Sequence, residues 1–318
     1  MPKHFLSIAD FSKDEILQIF DLTKELKQKQ KSGKSHKHLE GKTLAMIFQK
    51  PSARTRVSFE VGMFQLGGHA LYLGPNDIQI GQREAIGDVA QTLSQYVDII
   101  MARLFGHEDI VELANHASVP VLNGLTDLLH PCQVMADVFT IFEKQGKSDK
   151  FKVAFIGDGN NVANSWINMA ARIPMILQLG IPDGYDPDQD ILHAARKQNL
   201  SEIQVFRDPV EAVKDADVIY TDVWASMGQE SEAEKRKRAF KDYRVDTALV
   251  GHAKPDCLVM HCLPAHRGEE IASQVIDGPQ SIVFEEAENR LHVQKAIMVK
   301  VFECSEKYHL ESFSKNPN

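Results

Sequence analysis

Short apolar runs punctuate the chain from about residue 43 onward, and the stretches between them carry apolar residues at helical spacing. Leu44–Phe48, His69–Leu73, Ile99–Arg103, Val119–Asn123, Val153–Ile156, Val218–Thr221, Leu258–Cys262 and Ser281–Phe284 predict strands. Arg56–Leu66, Ala85–Gln95, Val134–Lys144 and Ser165–Arg172 predict helices among them. Such alternation predicts an α/β chain, with parallel sheets joined by crossover helices. Ahead of it, Ser12 stands as the N-cap of an amphipathic helix, with Glu15 at the capping-box position. A last helix is expected from Ala296 to about Lys307. No strand follows it, so it is placed to pack back on the first domain and make that domain discontinuous.

Length divides this pattern. At 318 residues the chain is long for one core, and two domains of roughly 150 residues are expected. The boundary falls at Lys147-Ser148-Asp149-Lys150, after which a fresh strand begins. Each domain is expected to be a parallel sheet flanked by helices. With 43% hydrophobic and 25% charged residues, the composition is that of a soluble globular protein. A net charge of −8 argues against nucleic acid as a partner, and the basic run Lys27 to Lys37 reads as a solvated helix end and loop. The charged stretch 229–244 reads as an exposed helix after a mobile loop, with no function expected there. No apolar stretch approaches the roughly 18 residues that span a bilayer. The N-terminal residues lack a signal h-region, and four cysteines without framework spacing fit a reducing cytosol.

Five constellations carry candidate chemistry. Phe48 to Arg56 ends a strand and opens a helix, where Ser52, free N–H groups and the dipole make an anion pocket that Arg54 can complete by gripping a phosphate. The plainer reading is an N-cap with two surface arginines. In His130-Pro131-Cys132-Gln133, proline suits a first helical turn and leaves His130 at the positive end, where a neutral imidazole can donate to a carbonyl. A capping histidine without chemistry is the alternative. Phe155 to Asn161 is a glycine turn. It lacks the third glycine of a dinucleotide fingerprint, having Val162 there, and it can present Asn161 to a small ligand. Asp222 to Gly228 puts a carboxylate at a strand end with Ser226 beyond, fit to hold an ammonium group or simply to end the strand. His261 to Gly268 sets Cys262 between a histidine and a proline turn. Zinc is a weak reading there, since Cys257 lies in a buried strand and no second cluster follows. An inert core thiol is the other.

Together S-A-R-T-R at 52–56, H-P-C-Q at 130–133, D-x-x-x-S-M-G at 222–228 and H-C-L-P-A at 261–265, with the segment Glu285 to Arg290, closely resemble the aspartate/ornithine carbamoyltransferase family. The resemblance spans essentially the whole chain, and S-M-G places it with the ornithine-using members. It implies transfer of the carbamoyl group of carbamoyl phosphate to the δ-amine of L-ornithine, giving citrulline and phosphate, in arginine synthesis or breakdown. It implies a carbamoyl-phosphate domain over residues 1–147, completed by a C-terminal helix at 296–318, and an ornithine domain over 148–295. Ser52, Ala53, Arg54, Thr55, Arg103, His130 and Gln133 would bind carbamoyl phosphate, and Cys262, Leu263 and Arg290 would close over both substrates. Gln79 matches the position that reaches a neighbouring subunit's site. Asn161, Asp222, Ser226 and Met227 would hold ornithine.

The catalytic set implied is Arg54, Arg103, His130, Asp222 and Cys262. Thr55, Arg103 and His130 would supply oxyanion donors. Arg54 and Arg103 would receive the leaving phosphate, and Asp222 with Cys262 would orient the amine and manage its proton. No metal or cofactor is called for. A cytoplasmic homotrimer, or an assembly of trimers, is implied. Position 53 is usually Thr in the family and is Ala here, which keeps the backbone N–H and loses a hydroxyl. A nicotinamide oxidoreductase built on Gly157 and Gly159 would leave S-A-R-T-R and H-P-C-Q without purpose. A binding paralogue without activity would rest on Ala53 alone.

Overall fold

In the computed structural model the apolar runs pair into two sheets, and every strand pair in both is parallel. The structure describes residues 2–81, 83–146, 150–225 and 232–315, with side chains to Glu306. The expected boundary residues Lys147, Ser148 and Asp149 lie outside these, as do Ser226, Met227 and Gly228. The chain divides into two compact units, Met1–Met135 with Arg290–Asn318, and Ala136–Asn289.

The first unit opens with α1 (Lys13–Lys31), started by a reciprocal cap between Ser12 and Glu15. Strands β1 (Thr43–Phe48), β2 (His69–Leu73), β3 (Ile99–Arg103) and β4 (Val121–Leu125) line up in the order β2-β1-β3-β4. Helices α2 (Ala53–Gln65), α3 (Pro75–Ile78), α4 (Ile86–Leu93) and α5 (His107–His116) lie between them in sequence, and α6 (Pro131–Gln145) follows β4. β3 is buried along its whole length and β1 from its second residue on, as strands covered on both faces must be. Ala45, Ile47, Ile100 and Ala102 share one face, packed on Ile86, Val89 and Ala90 of α4 and on Ile110 and Leu113 of α5.

In the second unit β5 (Lys152–Ile156), β6 (Ile176–Gly180), β7 (Glu202–Phe206), β8 (Val218–Thr221) and β9 (Leu258–His261) take the order β7-β6-β5-β8-β9. Helices α7 (Asn161–Ala170), α8 (Gln189–Lys197), α9 (Pro209–Val213), α10 (Ala233–Phe240), α11 (Thr247–Val250) and α12 (Ser273–Ile276) intervene; α13 (Val283–Lys315) begins in this unit and from Arg290 on belongs to the first. Ala154, Ile156, Ile219 and Val259 pack on Ala212 and Val213 of α9 and on Val245 and Ile271. Among the described residues no helix is long and apolar enough to cross a membrane.

Three expectations change. Ser281–Phe284 is not a strand: Ser281 makes a single bridge to Val259, and the helix has begun by Val283. That helix therefore starts well before Ala296, and Glu285 and Glu286 sit in its first turn, where the dipole favours them. Strands β6 and β7 were not read from the pattern, because Gln178, Glu202 and Gln204 break their apolar runs and β7 is a half-exposed edge.

In both sheets the chain reverses its direction of strand addition once. The reversal lies between β1 and β3 in the first unit, and between β5 and β8 in the second. The carboxyl ends of such strand pairs are where open α/β sheets bind ligands.

Candidate active site

In the first unit the chemistry gathers where β1 and β3 end. Ser52 leaves the strand in extended conformation and caps α2, its Oγ accepting from the Thr55 N–H at 3.3 Å. A helix start of this kind, at the positive end of the dipole, is suited to an anion. Ala53 and Arg54 are exposed there, and Thr55 is buried. Arg103 closes β3 opposite Phe48 of β1 and is also buried. His130 precedes Pro131, the first residue of α6, and is buried together with Gln133.

Arg290 draws these residues together. Its Nη1 donates to Gln133 Oε1 at 2.6 Å and its Nη2 to Thr55 Oγ1 at 3.4 Å. Burial holds His130 well below the ordinary imidazole range, and the charges of Arg290, Arg103 and Arg54 push the same way. The imidazole is therefore neutral, an uncharged donor in a site of positive potential. Gln79 stands apart: it is exposed, in left-handed conformation (φ 45°), with no side-chain hydrogen bond among the described residues.

In the second unit Asp222 follows β8 and is buried. Its Oδ2 accepts from Asn160 Nδ2 at 2.8 Å. Its Oδ1 accepts from the Val223 N–H at 2.8 Å and from the Cys262 thiol at 3.0 Å. Cys262 follows β9. Burial raises it well above the ordinary thiol range, helped by the carboxylates of Asp222, Glu286 and Asp137, so it is a thiol and a donor. Leu263 takes a left-handed φ of 55° before a cis peptide to Pro264. Its N–H donates to His261 Nδ1 at 2.8 Å, which leaves His261 Nε2 to donate to Glu270 at 3.1 Å. Glu286 accepts from the His261 backbone N–H at 3.0 Å. Asn161 is the first residue of α7 and half-buried. Ser226 and Met227 lie outside the described residues.

The match to known proteins divides along the same chemistry. The sequence model described as the aspartate/ornithine carbamoyltransferase carbamoyl-P binding domain matches residues 3–143, and the model of the Asp/Orn binding domain matches 149–301. The chain belongs to the aspartate/ornithine carbamoyltransferase family. It is an enzyme, a carbamoyltransferase. The ornithine carbamoyltransferase of Syntrophus aciditrophicus is 54% identical over 298 residues, covering 94% of this chain and 99% of that protein. The solved structure of the ornithine carbamoyltransferase of Pyrococcus furiosus matches with a TM-score of 0.90 at 52% identity, covering 93% of this chain and 96% of that one. The anabolic enzyme of Campylobacter jejuni matches with a TM-score of 0.90 at 41% identity, over 94% and 98% of the two chains.

For this family member the sequence reading passed over Asn160 in favour of its neighbour. Asn160 both caps α7, its Oδ1 accepting from Val162 and Ala163, and donates to Asp222. An asparagine ahead of a helix is a cap signal, but the bond to Asp222 exists because β5 and β8 are neighbours. The glycine turn serves packing: a Cβ on Gly159 would lie 2.3 Å from Pro187 N and 2.5 Å from Tyr185 O. Gly159 is there because the chain at 185–187 passes against it. Asp222, His261 and Cys262 bring donor atoms within 4.8 Å of one another, a set that a metal could use. Each is already engaged, both His261 nitrogens included, and the thiol is held protonated. His266, Glu269 and Glu270 form a second such set, of which Glu270 already holds His261.

Proposed function

We propose that this carbamoyltransferase uses L-ornithine as its acceptor, giving L-citrulline and phosphate. The observation that carries the reading is the charge of the second unit's site. The carboxylates of Asp222, Glu286 and Asp137 all bear on Cys262. A negative potential of that kind attracts an acceptor with a second ammonium group and repels one with a second carboxylate, as aspartate has. The relatives carry the name of the ornithine enzyme, which agrees with this.

The chemistry follows from the two sets of residues. Carbamoyl phosphate takes the domain of residues 1–147, completed by the part of α13 from Ala296 on, and its phosphate meets Ser52, Ala53, Arg54, Thr55 and Arg103. Its carbonyl oxygen meets His130, which donates without bringing charge of its own, and Thr55 and Arg103 add donors as the oxyanion develops. Ornithine takes the domain of residues 148–295, on Asn161, Asp222, Ser226 and Met227. The neutral δ-amine donates its lone pair to the carbonyl carbon, and the carbonyl π pair moves to oxygen. That pair returns as the carbon–oxygen bond to phosphate breaks, and the nitrogen loses one proton. Asp222 is the neighbouring acceptor, oriented by Asn160 and Cys262. Phosphate leaves as an anion held by Arg54, Arg103 and the start of α2.

The reading extends to assembly as a homotrimer. Val57, Val61 and Phe64 follow one face of α2 and, with Leu71 of the edge strand β2, are exposed, Phe64 at 79%. A second copy of the chain is the occupant that suits a face of this kind.

The deciding experiment compares ornithine, putrescine, N-acetylornithine and aspartate as acceptors, following phosphate release and carbamoylated product. Ornithine is expected to exceed the others in kcat/KM by at least about 100-fold, the discrimination of a lost charged contact. Equal or better use of another acceptor overturns the assignment.

A further inference from the structure

We propose that Asp158 and Arg236 are positioning residues that hold Asp222 against Asn160, and that they set affinity for the acceptor rather than for carbamoyl phosphate. The inference rests on the reading above that the second unit holds the acceptor.

Asp158 stands in the turn after β5, two residues before Asn160. Arg236 is on α10, and its Nη1 donates to Asp158 Oδ2 at 2.8 Å and to the Trp224 carbonyl at 2.9 Å. Trp224 is two residues beyond Asp222. One guanidinium thus ties the turn that carries Asn160 to the chain that carries Asp222, and the 2.8 Å Asn160–Asp222 bond lies between those anchors. Arg236 Nε also faces Glu232 at 3.3 Å. The ring of Tyr185 lies 5.1 Å from the guanidinium, and the Tyr185 carbonyl accepts from the Gly159 N–H at 3.0 Å. Trp224 stacks on Phe240 with centroids 6.0 Å apart. Both charged side chains are only 9% exposed.

A buried ion pair is weak evidence for stability, since desolvation can exceed the Coulombic gain. Asp158 fits that rule. Burial outweighs the attraction of Arg236 and lifts the carboxyl to about 6, with Asp222 adding to the rise and the Gly159 N–H opposing it. The folded value lies above the ordinary one of 3.8, so the folded state binds more protons between the two. This titration therefore lowers stability as pH rises through the window from about 4 to about 6. The ionised pair is carried at a cost in stability, and what it supplies is a fixed relation between two chain segments.

The test is steady-state kinetics of the full chain, Asp158→Asn, Arg236→Gln and Arg236→Lys, with both substrates varied. Ornithine is used, or whichever acceptor the wild type prefers, so a wrong acceptor assignment shows in the wild type and leaves the comparison intact. Asp158→Asn and Arg236→Gln are expected to raise the acceptor KM at least tenfold, with the carbamoyl phosphate KM within twofold. Arg236→Lys, which keeps the charge without the fork, is expected to recover part of the loss. Expressed per unprotonated acceptor amine, the wild-type acceptor KM is expected to rise as pH falls through 6, and Asp158→Asn to lack that rise while melting no lower than the wild type. An unchanged acceptor KM overturns the proposal. So does a loss that strikes both KM values alike together with the melting temperature, which would mark the pair as merely structural.

Discussion

His130 and Cys262 are both held uncharged, by opposite surroundings. Burial acts on both, but His130 faces the charges of Arg290, Arg103 and Arg54, whereas Cys262 faces the carboxylates of Asp222, Glu286 and Asp137. An imidazole among arginines cannot take a proton, and a thiol among carboxylates cannot lose one. Each remains a neutral donor. The helix start before Pro131 already predicts a neutral His130, since a dipole disfavours imidazolium there. The three arginines that complete the effect come from separate parts of the chain. Arg54 differs from Arg103 and Arg290 in being exposed, so its replacement removes no buried side chain. Arg54→Ala is expected to leave the fold intact and to lower kcat/KM for carbamoyl phosphate by about 10²–10³-fold, as loss of one preorganised donor does. Saturation by carbamoyl phosphate at wild-type concentrations would remove Arg54 from the site.

Among the elements, the two site-bearing turns follow the same plan with different caps. The earlier strand of each reversal pair ends, and a polar residue of the candidate site caps the following helix: Ser52 after β1, and Asn160 after β5. Ser52 was legible because it stands among arginines. Asn160 was not, because its partner is 62 positions away and only strand order makes them neighbours. Gly159 tests how tightly the second turn is built. Its added Cβ would meet backbone atoms at 185–187, which cannot swing aside as a side chain can. Gly159→Ala is expected to cost about 2 kcal/mol, within the usual range for overpacking, and to lower the melting temperature by several degrees in a thermal scan. A melting temperature equal to the wild type would mean that the 185–187 segment yields freely.

For the whole molecule, the parallel order of each sheet puts residues distant in sequence at a common edge, and the reversal points pick out which strand ends carry chemistry. Among the described residues a single copy leaves the apolar face of α2 uncovered. If the proposed trimer forms through this face, Phe64→Glu is expected to shift the chain to smaller species in light scattering after size exclusion, because burying that carboxylate between copies is costly. An unchanged molar mass would place the contact elsewhere.

Short windows of sequence carried the alternation of strand and helix, the α/β class, and the four motifs proposed to meet phosphate, carbonyl and amine. These are local matters: periodicity, helix starts and the residue types that a given chemistry needs all lie within short windows. The same windows misread Ser281–Phe284, where a β-rich run is overruled by the helix it enters, and passed over β6 and β7, whose apolar runs are interrupted. Only the tertiary structure decided that Arg290 binds Gln133 and Thr55, that Asn160 and Cys262 share Asp222, and that Arg236 reaches Asp158. Those contacts depend on which strands lie side by side, and strand order is settled by the packing of whole sheets and helices rather than by any one segment.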